Sequence, residues 1–318
     1  MDALASLLDG PRGRGAVLLR TVMRPPWSVR FADRAPLGVI ALLRGGGWVT
    51  AADGQSCRLE PGAVAVLRGP QEFVFADDPA TPQQVVIHPG PRITTSRGDD
   101  IGTTMDLGVR TWGNDPHGPD LSLIGCFQMR GEISRRLLDA LPSVFVLTSD
   151  AWDAPLIPLL ASETARDEPG QQAVLDRLFD LLLITVLRAY LLGLDDDAPA
   201  WYRAHRDPVV GRAVRMLHDN PAHPWSVSTL AGTAGVSRAK FASRFTTVVG
   251  EPPMTYLTSW RLALAADLLH EPDATLEAIA RRVGYSNGFA LSAAFKRVRG
   301  ISPTEHRRAT VGAGMLER

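Results

Sequence analysis

The sequence is poor in cysteine, in lysine and in long apolar runs, and each shortage excludes a class of protein. Its 318 residues include two cysteines, Cys57 and Cys126, too few for a disulfide framework. The most apolar stretch, residues 181–194, contains Arg188 and is shorter than the roughly 20 residues that cross a bilayer. No secretory signal pattern opens the chain. We therefore expect a cytoplasmic protein without a membrane partner.

The formal net charge is zero, but the charge is unevenly distributed along the chain. Residues 1–206 contain 20 basic and 25 acidic side chains, a net charge of −5, whereas residues 207–318 contain 14 and 9, a net charge of +5. Lys240 and Lys296 are the only lysines, so the basic character comes mainly from arginine. The basic part is the candidate for contact with nucleic acid.

The residues up to about 130 have the pattern of an all-β domain. Short apolar or alternating segments are separated by clusters of Gly, Pro and Asp, as in a sandwich or barrel. Asp53 and Gly54 predict a hairpin turn between strands at 48–50 and 57–59. Further strands are predicted at 27–31, 37–43, 63–67, 105–112 and 121–129.

From about Ile133 the apolar period is helical, and helices are predicted over 152–166 and 171–192. Apolar side chains cover most of the circumference of the 171–192 helix, so this helix needs two packing surfaces. We expect the barrel on one side and a second copy of the chain on the other. Residues 131–206 are therefore assigned as a helical dimerisation and linker region.

An internal repeat is the most informative feature of the basic part. Leu230, Ala231 and Gly235 recur 49 positions later, as Ile279, Ala280 and Gly284. Four further positions recur at a distance of 50, so one residue has been added in the second turn. These further pairs are Phe241 with Leu291, Phe245 with Phe295, Gly250 with Gly300, and Pro253 with Pro303.

Each repeat unit is typical of a helix-turn-helix. Ala231 and Ala280 are small where two helices must approach closely, and the glycines at 235 and 284 allow a positive φ in the turn. Ser237 and Asn287 are placed as N-caps of the second helix of each unit, the helix that enters the DNA major groove. A predicted helix over 254–270 lies between the units and is suited to set the roughly 34 Å between successive grooves.

Residues 207–310 resemble the DNA-binding domain of AraC/XylS-type bacterial transcription regulators. Five motifs carry this resemblance: 230–237 (LAGTAGVS), 250–257 (GEPPMTYL), 260–269 (WRLALAADLL), 279–285 (IARRVGY) and 295–303 (FKRVRGISP). The resemblance implies a sequence-specific DNA-binding regulator, associated with the bacterial nucleoid, for which RNA polymerase is a possible partner. In this family the first recognition helix reads bases and the second often contributes less.

The resemblance implies a set of DNA-contacting residues. Arg238, Lys240 and Arg244 suit phosphates or, for arginine, guanine, and Phe289 either meets a thymine methyl group or packs inward. Arg261 matches a family arginine and is a candidate for a phosphate contact. The full set is Arg238, Ala239, Lys240, Ala242, Ser243, Arg244, Arg261, Asn287, Gly288, Phe289, Ser292, Ala293, Lys296 and Arg297.

The N-terminal half resembles the cupin-like sensor domain of some of these regulators, on segments 27–31, 59–70, 124–127 and 137–142. This resemblance implies a barrel that binds a small effector and helices that dimerise. The histidine and glutamate pattern of metal-binding cupins is missing, so we expect no metal, no cofactor and no enzyme activity. The candidates for effector binding or redox sensing are Cys57, Cys126, Trp27, Trp48, Phe73, His88 and Trp112.

The expected fold is α+β: a cupin-like β-barrel (1–130), dimerisation helices (131–206), an all-α domain with two helix-turn-helix motifs (207–310) and a tail (311–318). The expected function is promoter binding controlled by a small molecule or an oxidant, in a homodimer. Two alternatives stay open, a cupin-type metal enzyme with an accessory helical domain and a non-catalytic interaction protein. Both cysteines also suit ordinary core positions.

Overall fold

A computed structural model describes residues 18–127, 131–152, 155–271 and 273–308. The described residues form two compact units. The β-unit contains residues 18–127 and 138–193, and the helical unit contains residues 131–137 and 194–308. Among the described helices, none is both long and apolar enough to cross a membrane.

Two six-stranded sheets build the β-unit. The first sheet has the order β10-β1-β11-β3-β6-β12 and the second has the order β5-β4-β7-β2-β8-β9. The strands are β1 (Leu18–Met23), β2 (Ser28–Phe31), β3 (Leu37–Arg44), β4 (Gly47–Ala51), β5 (Ser56–Leu59), β6 (Val64–Arg68), β7 (Phe73–Ala76), β8 (Val85–Ile87), β9 (Ile93–Thr95), β10 (Thr111–Gly113), β11 (Asp120–Phe127) and β12 (Val144–Leu147).

Inward-facing residues of both sheets share one hydrophobic core. Alternate residues of β3, such as Ile40 and Leu42, meet Val29 and Phe75 of the second sheet in one buried cluster. The hairpin predicted at Asp53 and Gly54 is confirmed, since β4 and β5 pair antiparallel and Gly54 has a φ of +86°. Period-two alternation thus sends one set of side chains of each strand into this core.

The outer face of the first sheet is covered by α2 (Leu156–Thr164) and α3 (Gln171–Gly193). Phe179 of α3 stacks on Phe127 of β11 at a centroid distance of 4.3 Å, and Tyr190 stacks on Phe145 of β12 at 3.8 Å. A Cβ atom at Gly125 would lie 2.4 Å from the Phe179 ring, so only glycine permits this approach. The sheet is one of the two surfaces that the sequence pattern of this helix requires.

The helical unit consists of α1 (Glu132–Asp139, of which residues 132–137 belong to the unit) and the helices that follow residue 194. These helices are α4 (Ala200–Arg206), α5 (Val210–Asp219), α6 (Val227–Thr233), α7 (Arg238–Val249), α8 (Pro253–Leu268), α9 (Leu276–Val283) and α10 (Gly288–Arg299).

The helical unit has two hydrophobic cores, one for each repeat. Leu230, Phe241 and Phe245 lie in the first core, and Ile279, Leu291 and Phe295 lie in the second. Helix α8 contributes to both, because Tyr256 and Leu257 belong to the first core and Leu262, Ala265, Ala266 and Leu269 belong to the second. The prediction that a helix connects the repeat units is confirmed.

Several predicted boundaries were wrong. The strand expected over 105–112 is β10, Thr111–Gly113, because the preceding residues form turns. Strand β12 lies inside the region predicted as purely helical, where it pairs antiparallel with β6. The helix predicted over 152–166 spans Leu156–Thr164. The predicted tail, residues 311–318, lies outside the described residues.

Candidate DNA-binding surface and effector cavity

The first helix-turn-helix is formed by α6 and α7. Ser226 begins α6 with a capping box to Thr229, and Ser237 caps α7 by accepting a hydrogen bond from the Lys240 N–H at 3.3 Å. Gly235, in the turn between the helices, has a φ of +69°, and Ala231 is buried where the two helices approach. The cap and the turn glycine are those that the sequence predicts.

The second helix-turn-helix is formed by α9 and α10 and has the same kinds of N-cap and turn glycine as the first. Thr275 caps α9, Gly284 ends it in the left-handed region, and Asn287 caps α10 by accepting a hydrogen bond from the Ala290 N–H at 2.8 Å. The added residue lies in the turn, because Gly284 and Asn287 are separated by Tyr285 and Ser286, where the first turn has Val236 alone. Both predicted motifs are confirmed.

The solvent side of α7 is basic and otherwise small. Arg238, Ala239, Lys240 and Ser243 are exposed and Ala242 is half-buried. On α10, Ala293, Lys296 and Arg297 are exposed together with the cap Asn287, Ser292 is half-buried and Gly288 is buried. Buried Phe241, Phe245, Leu291 and Phe295 occupy the opposite faces. Each recognition helix therefore has an apolar inner face and an outer face suited to DNA.

Phe289 lies on the outer side of α10 and is 84% exposed. Of the two alternatives open at the sequence level, inward packing is wrong. The inner face of the first turn is filled instead by Gly288, whose N–H donates to Glu277 Oε2 at 2.7 Å. The ring is therefore accessible at the start of the helix, and its contact with DNA stays a prediction.

Two of the candidate arginines are engaged inside the helical unit. Arg244 forms a two-pronged ion pair with Asp207, with Nε and Nη2 at 2.8 and 2.7 Å from Oδ2. Arg261 donates from Nε to the Pro221 carbonyl at 2.7 Å and from Nη2 to the His223 carbonyl at 2.9 Å. Arg261 thus ties α8 to the loop before α6. Its phosphate contact stays a prediction, and two of its three side-chain nitrogen atoms already donate to protein carbonyls.

Helix α1 docks into the helical unit through its N-terminus. The half-buried Asp267 carboxylate of α8 accepts hydrogen bonds from the Glu132 N–H at 2.6 Å and the Ile133 N–H at 3.3 Å. The Glu132 carboxylate forms an ion pair with Arg299 of α10 at 2.8 Å, which keeps the pKa of Glu132 below its usual value despite burial. Asp267 of α8 thus caps the N-terminus of α1, and Glu132 links α1 to α10 through Arg299.

The β-unit contains an apolar cavity of about 460 Å³. A smaller space of about 40 Å³ shares five lining residues with it and extends it between the two sheets. The shared residues are Leu19, Phe31, Ile87, Ile93 and Ile124. A volume of this size falls within the range of small-molecule sites in proteins.

The cavity includes some of the candidate effector residues and not others. Phe73, His88 and Cys126 line the larger space, and Trp27 and Trp112 line its extension. Trp48 and Cys57 line neither space. Trp48 is half-buried on β4, and Cys57 lies on β5, the edge strand of the second sheet, whereas Cys126 lies on β11 of the first sheet. Sequence reasoning missed Leu19, Phe31, Asp33, Ile87, Ile93 and Ile124, because only the pairing of distant strands brings them together.

The cavity lining contains one histidine, His88, whose Nε2 hydrogen-bonds with Thr94 Oγ1 at 2.9 Å. His117, the other histidine of the predicted barrel, lies exposed in the loop before β11. Among the described residues, no three His, Cys, Asp or Glu side chains are grouped as a metal ion would require. That no cofactor is needed stays a prediction.

Comparison with known proteins matches both parts of the chain. Residues 2–192 match the family described as Cupin, and residues 230–309 match the family described as a helix-turn-helix domain. An AraC-like transcription regulator of Streptomyces lividans is 32% identical over 97% of this chain and 98% of its own length. The chain belongs to the family of AraC-like transcription regulators. It is therefore a DNA-binding regulator with an N-terminal cupin-like domain.

One further relative is similar along nearly the whole chain, and one solved structure is similar to about a third of it. The transcriptional regulator AlkR of Acinetobacter baylyi is 28% identical over 96% of this chain and 99% of its own. The crystallised DNA-binding domain of AdpA, in complex with a target DNA, is 32% identical over 32% of this chain and 92% of that chain, with a TM-score of 0.31.

The first core of the regulator contains a buried histidine. His218 of α5 stacks on Trp260 at a centroid distance of 3.9 Å, and its Nε2 hydrogen-bonds with the Tyr256 hydroxyl at 2.7 Å. Burial lowers the pKa of His218 from 6.5 to about 3, with a smaller contribution from Arg136. The folded helical unit therefore holds this imidazole neutral at acidic pH.

We expect His218 to make the helical unit less stable as the pH falls from 7 to 5. The unfolded chain binds a proton near pH 6.5 and the folded chain only near pH 3, so the stability is full above 6.5 and declines below it. The expected loss at pH 5 is about 2 kcal/mol. Urea unfolding followed by helical circular dichroism at both pH values measures it.

His218→Gln should remove most of this pH dependence, and His117→Gln, a change at an exposed histidine of the β-unit, should preserve it. The assignment is contradicted if wild-type stability is equal at the two pH values, or if His218→Gln retains the full difference.

Proposed function

We propose that this regulator binds a small-molecule effector in the cavity of its β-unit and binds promoter DNA through α7 and α10 as a homodimer. The observation that supports effector binding best is the 460 Å³ apolar cavity inside the cupin-like domain. An oxidant-sensing cysteine pair is less favoured, because Cys126 lines the cavity and Cys57 lies on a strand of the other sheet. Direct titration of the full chain with candidate effectors tests the cavity.

The arrangement of α7 supports DNA contacts by its first turn. The Arg238 and Lys240 side chains are exposed and belong to none of the ion pairs among the described residues, whereas Arg244 is bound to Asp207. Ala239 and Ser243 are exposed on the same helix. Their small side chains would let a base edge come close to α7. Phosphate contacts from the two cations would fix the register, and α7 would read bases at close range.

Replacing Arg238 and Lys240 together by alanine should abolish promoter binding at physiological salt without unfolding the helical unit. Two lost phosphate contacts in each protomer should also reduce the slope of log affinity against log salt by about 2 per protomer. The measurement is a salt series of fluorescence anisotropy titrations on DNA recovered from cells with the full-length protein. A matched control, Arg58→Ala with Arg97→Ala, removes the same charge from exposed positions of the β-unit. Unchanged affinity of the α7 variant would refute this interface.

Phe289 supports a contribution of α10 to sequence reading. Its ring is exposed at the start of the helix, where an apolar group can meet the methyl group of a thymine in the major groove. Asn287 and Gly288 fix the first turn and so fix the direction of the ring. The second recognition helix would then add specificity, rather than phosphate contacts alone.

Phe289→Ala should weaken binding to the preferred site by about 1 kcal/mol and relax the preference for thymine at one position. Selection of bound sequences from a random DNA pool, with wild-type and variant proteins, reads both effects. Val298→Ala, at the other end of the same helix and 51% exposed, is the control and should keep the preference. A base preference that is identical in the Phe289→Ala protein would show that the ring does not read DNA.

An exposed stripe on α3 supports homodimerisation. Val174, Leu178, Leu181 and Thr185 recur at alternating intervals of four and three residues, the spacing of a two-helix seam. Val174 and Leu181 are each 44% exposed, while the opposite side of α3 packs on the first sheet. A second α3 is a suitable cover, because it would present the same stripe.

Leu181→Glu should convert the dimer to a monomer, because it places a charge in the centre of the stripe. Sedimentation velocity at micromolar concentration measures the change, and Ala173→Glu, off the stripe on the same helix, should remain dimeric. A monomeric wild-type protein, or a dimeric Leu181→Glu protein, would contradict dimerisation through α3.

The cytoplasmic location, the association with the nucleoid, the contact with RNA polymerase and the lack of enzyme activity remain predictions. The relatives named above are transcription regulators, which favours a regulator over the alternative of a cupin-type enzyme.

A further inference from the structure

The larger cavity combines an apolar wall with a stacked aromatic pair. The rings of Phe31 and Phe73 lie 4.5 Å apart at an interplanar angle of 8°, and both residues line the space. Isoleucines 87, 93 and 124 continue the wall into the narrow extension between the sheets. An elongated apolar molecule can therefore lie along this wall with one end beside the two rings.

A single carboxylate lies in this apolar lining. Asp33 is partly buried, and its side chain accepts a hydrogen bond from the Ala35 N–H at 3.3 Å. None of the ion pairs among the described residues includes Asp33, and burial raises its pKa above the ordinary value. A carboxylate that has lost part of its hydration without gaining a cation is costly, and a bound cation would recover that cost.

The described residues that line the cavity include no arginine and no lysine. The other polar groups are those of His88, which is hydrogen-bonded to Thr94, and Cys126 on β11. A carboxylate or phosphate ligand would meet Asp33 and no positive side chain. The charge of the lining thus disfavours anions, and its apolar area disfavours sugars and other molecules with many hydroxyl groups.

We propose that the effector is an organic ammonium cation with an apolar body, its charged group held by Asp33 and the faces of Phe31 and Phe73. The proposal rests on the proposed function, since it names the chemical class of ligand for the same cavity. Aromatic faces attract cations through the negative face of the ring, and this attraction grows when water is excluded. The apolar body lies against Ile124 and reaches the extension between the sheets.

Calorimetric titration of the full-length protein with three probes of equal chain length tests the class. The probes are octyltrimethylammonium, 1-octanol and octanoate. The cation should bind at least about tenfold more tightly than 1-octanol, and octanoate should bind most weakly. Asp33→Asn, which keeps the shape of the side chain, should reduce the affinity for the cation about tenfold and leave that for 1-octanol unchanged.

Glu60→Gln, a charge removal at an exposed site outside the cavity, is the matched control and should change none of the three affinities. If Asp33→Asn fails to fold, Phe73→Leu replaces it and should weaken the cation more than 1-octanol. Equal or tighter binding of 1-octanol or octanoate would overturn the cation class and leave the effector cavity standing. Failure of all three probes to bind would overturn the cavity as well.

Discussion

Helix α8 serves two hydrophobic cores at once, and the DNA-binding part of the molecule depends on this sharing. Each helix-turn-helix alone is too small to bury a self-sufficient core. Tyr256 and Leu257 complete the first core, and one or two turns later Leu262 and Ala266 complete the second. Because one rigid helix of about 24 Å carries both sets of residues, the two recognition helices are held in a fixed relation.

Strand β11 of the β-unit likewise contributes to two surfaces, the cavity on one side and the packing against α3 on the other. Residues that alternate along this strand face opposite sides, so Ile124 and Cys126 line the cavity while Gly125 and Phe127 meet Phe179 of α3. The chain that leaves β11 enters α1, whose N-terminus is bound by Asp267 in the helical unit. The cavity wall and the helical unit are thus neighbours along the chain, within about ten residues of sequence.

The repeat in the sequence predicted most of the helical unit, because its determinants are local. The caps Ser237 and Asn287 and the glycines at 235 and 284 act on backbone within a few residues, and the structure uses all four as expected. The α+β fold class could be predicted from the sequence for the same reason, because turn residues and apolar periods are also local signals. Strand β12 escaped prediction, because its place depends on pairing with β6, some 80 positions earlier.

The lining of the cavity was predicted only in part, for a related reason. The candidates Trp27, Phe73 and His88 do line it, but their neighbours Phe31, Asp33 and Ile124 join the same wall only through sheet pairing. The side of Phe289 was left open at the sequence level, although a period of 3.6 residues places it about 160° from Leu291, on the outer face. Arg261 had matched a family position, yet its carbonyl partners come from a loop about 40 residues away.

We propose that one protomer places α7 and α10 in successive major grooves. Hydroxyl-radical footprinting and methylation protection of a recovered promoter with the full-length protein test it most directly. We expect two protected patches per protomer on one face of the DNA, centred about ten base pairs apart, with guanines or thymines protected in the major groove of each. A single patch per protomer, or protection confined to the minor groove, would contradict it.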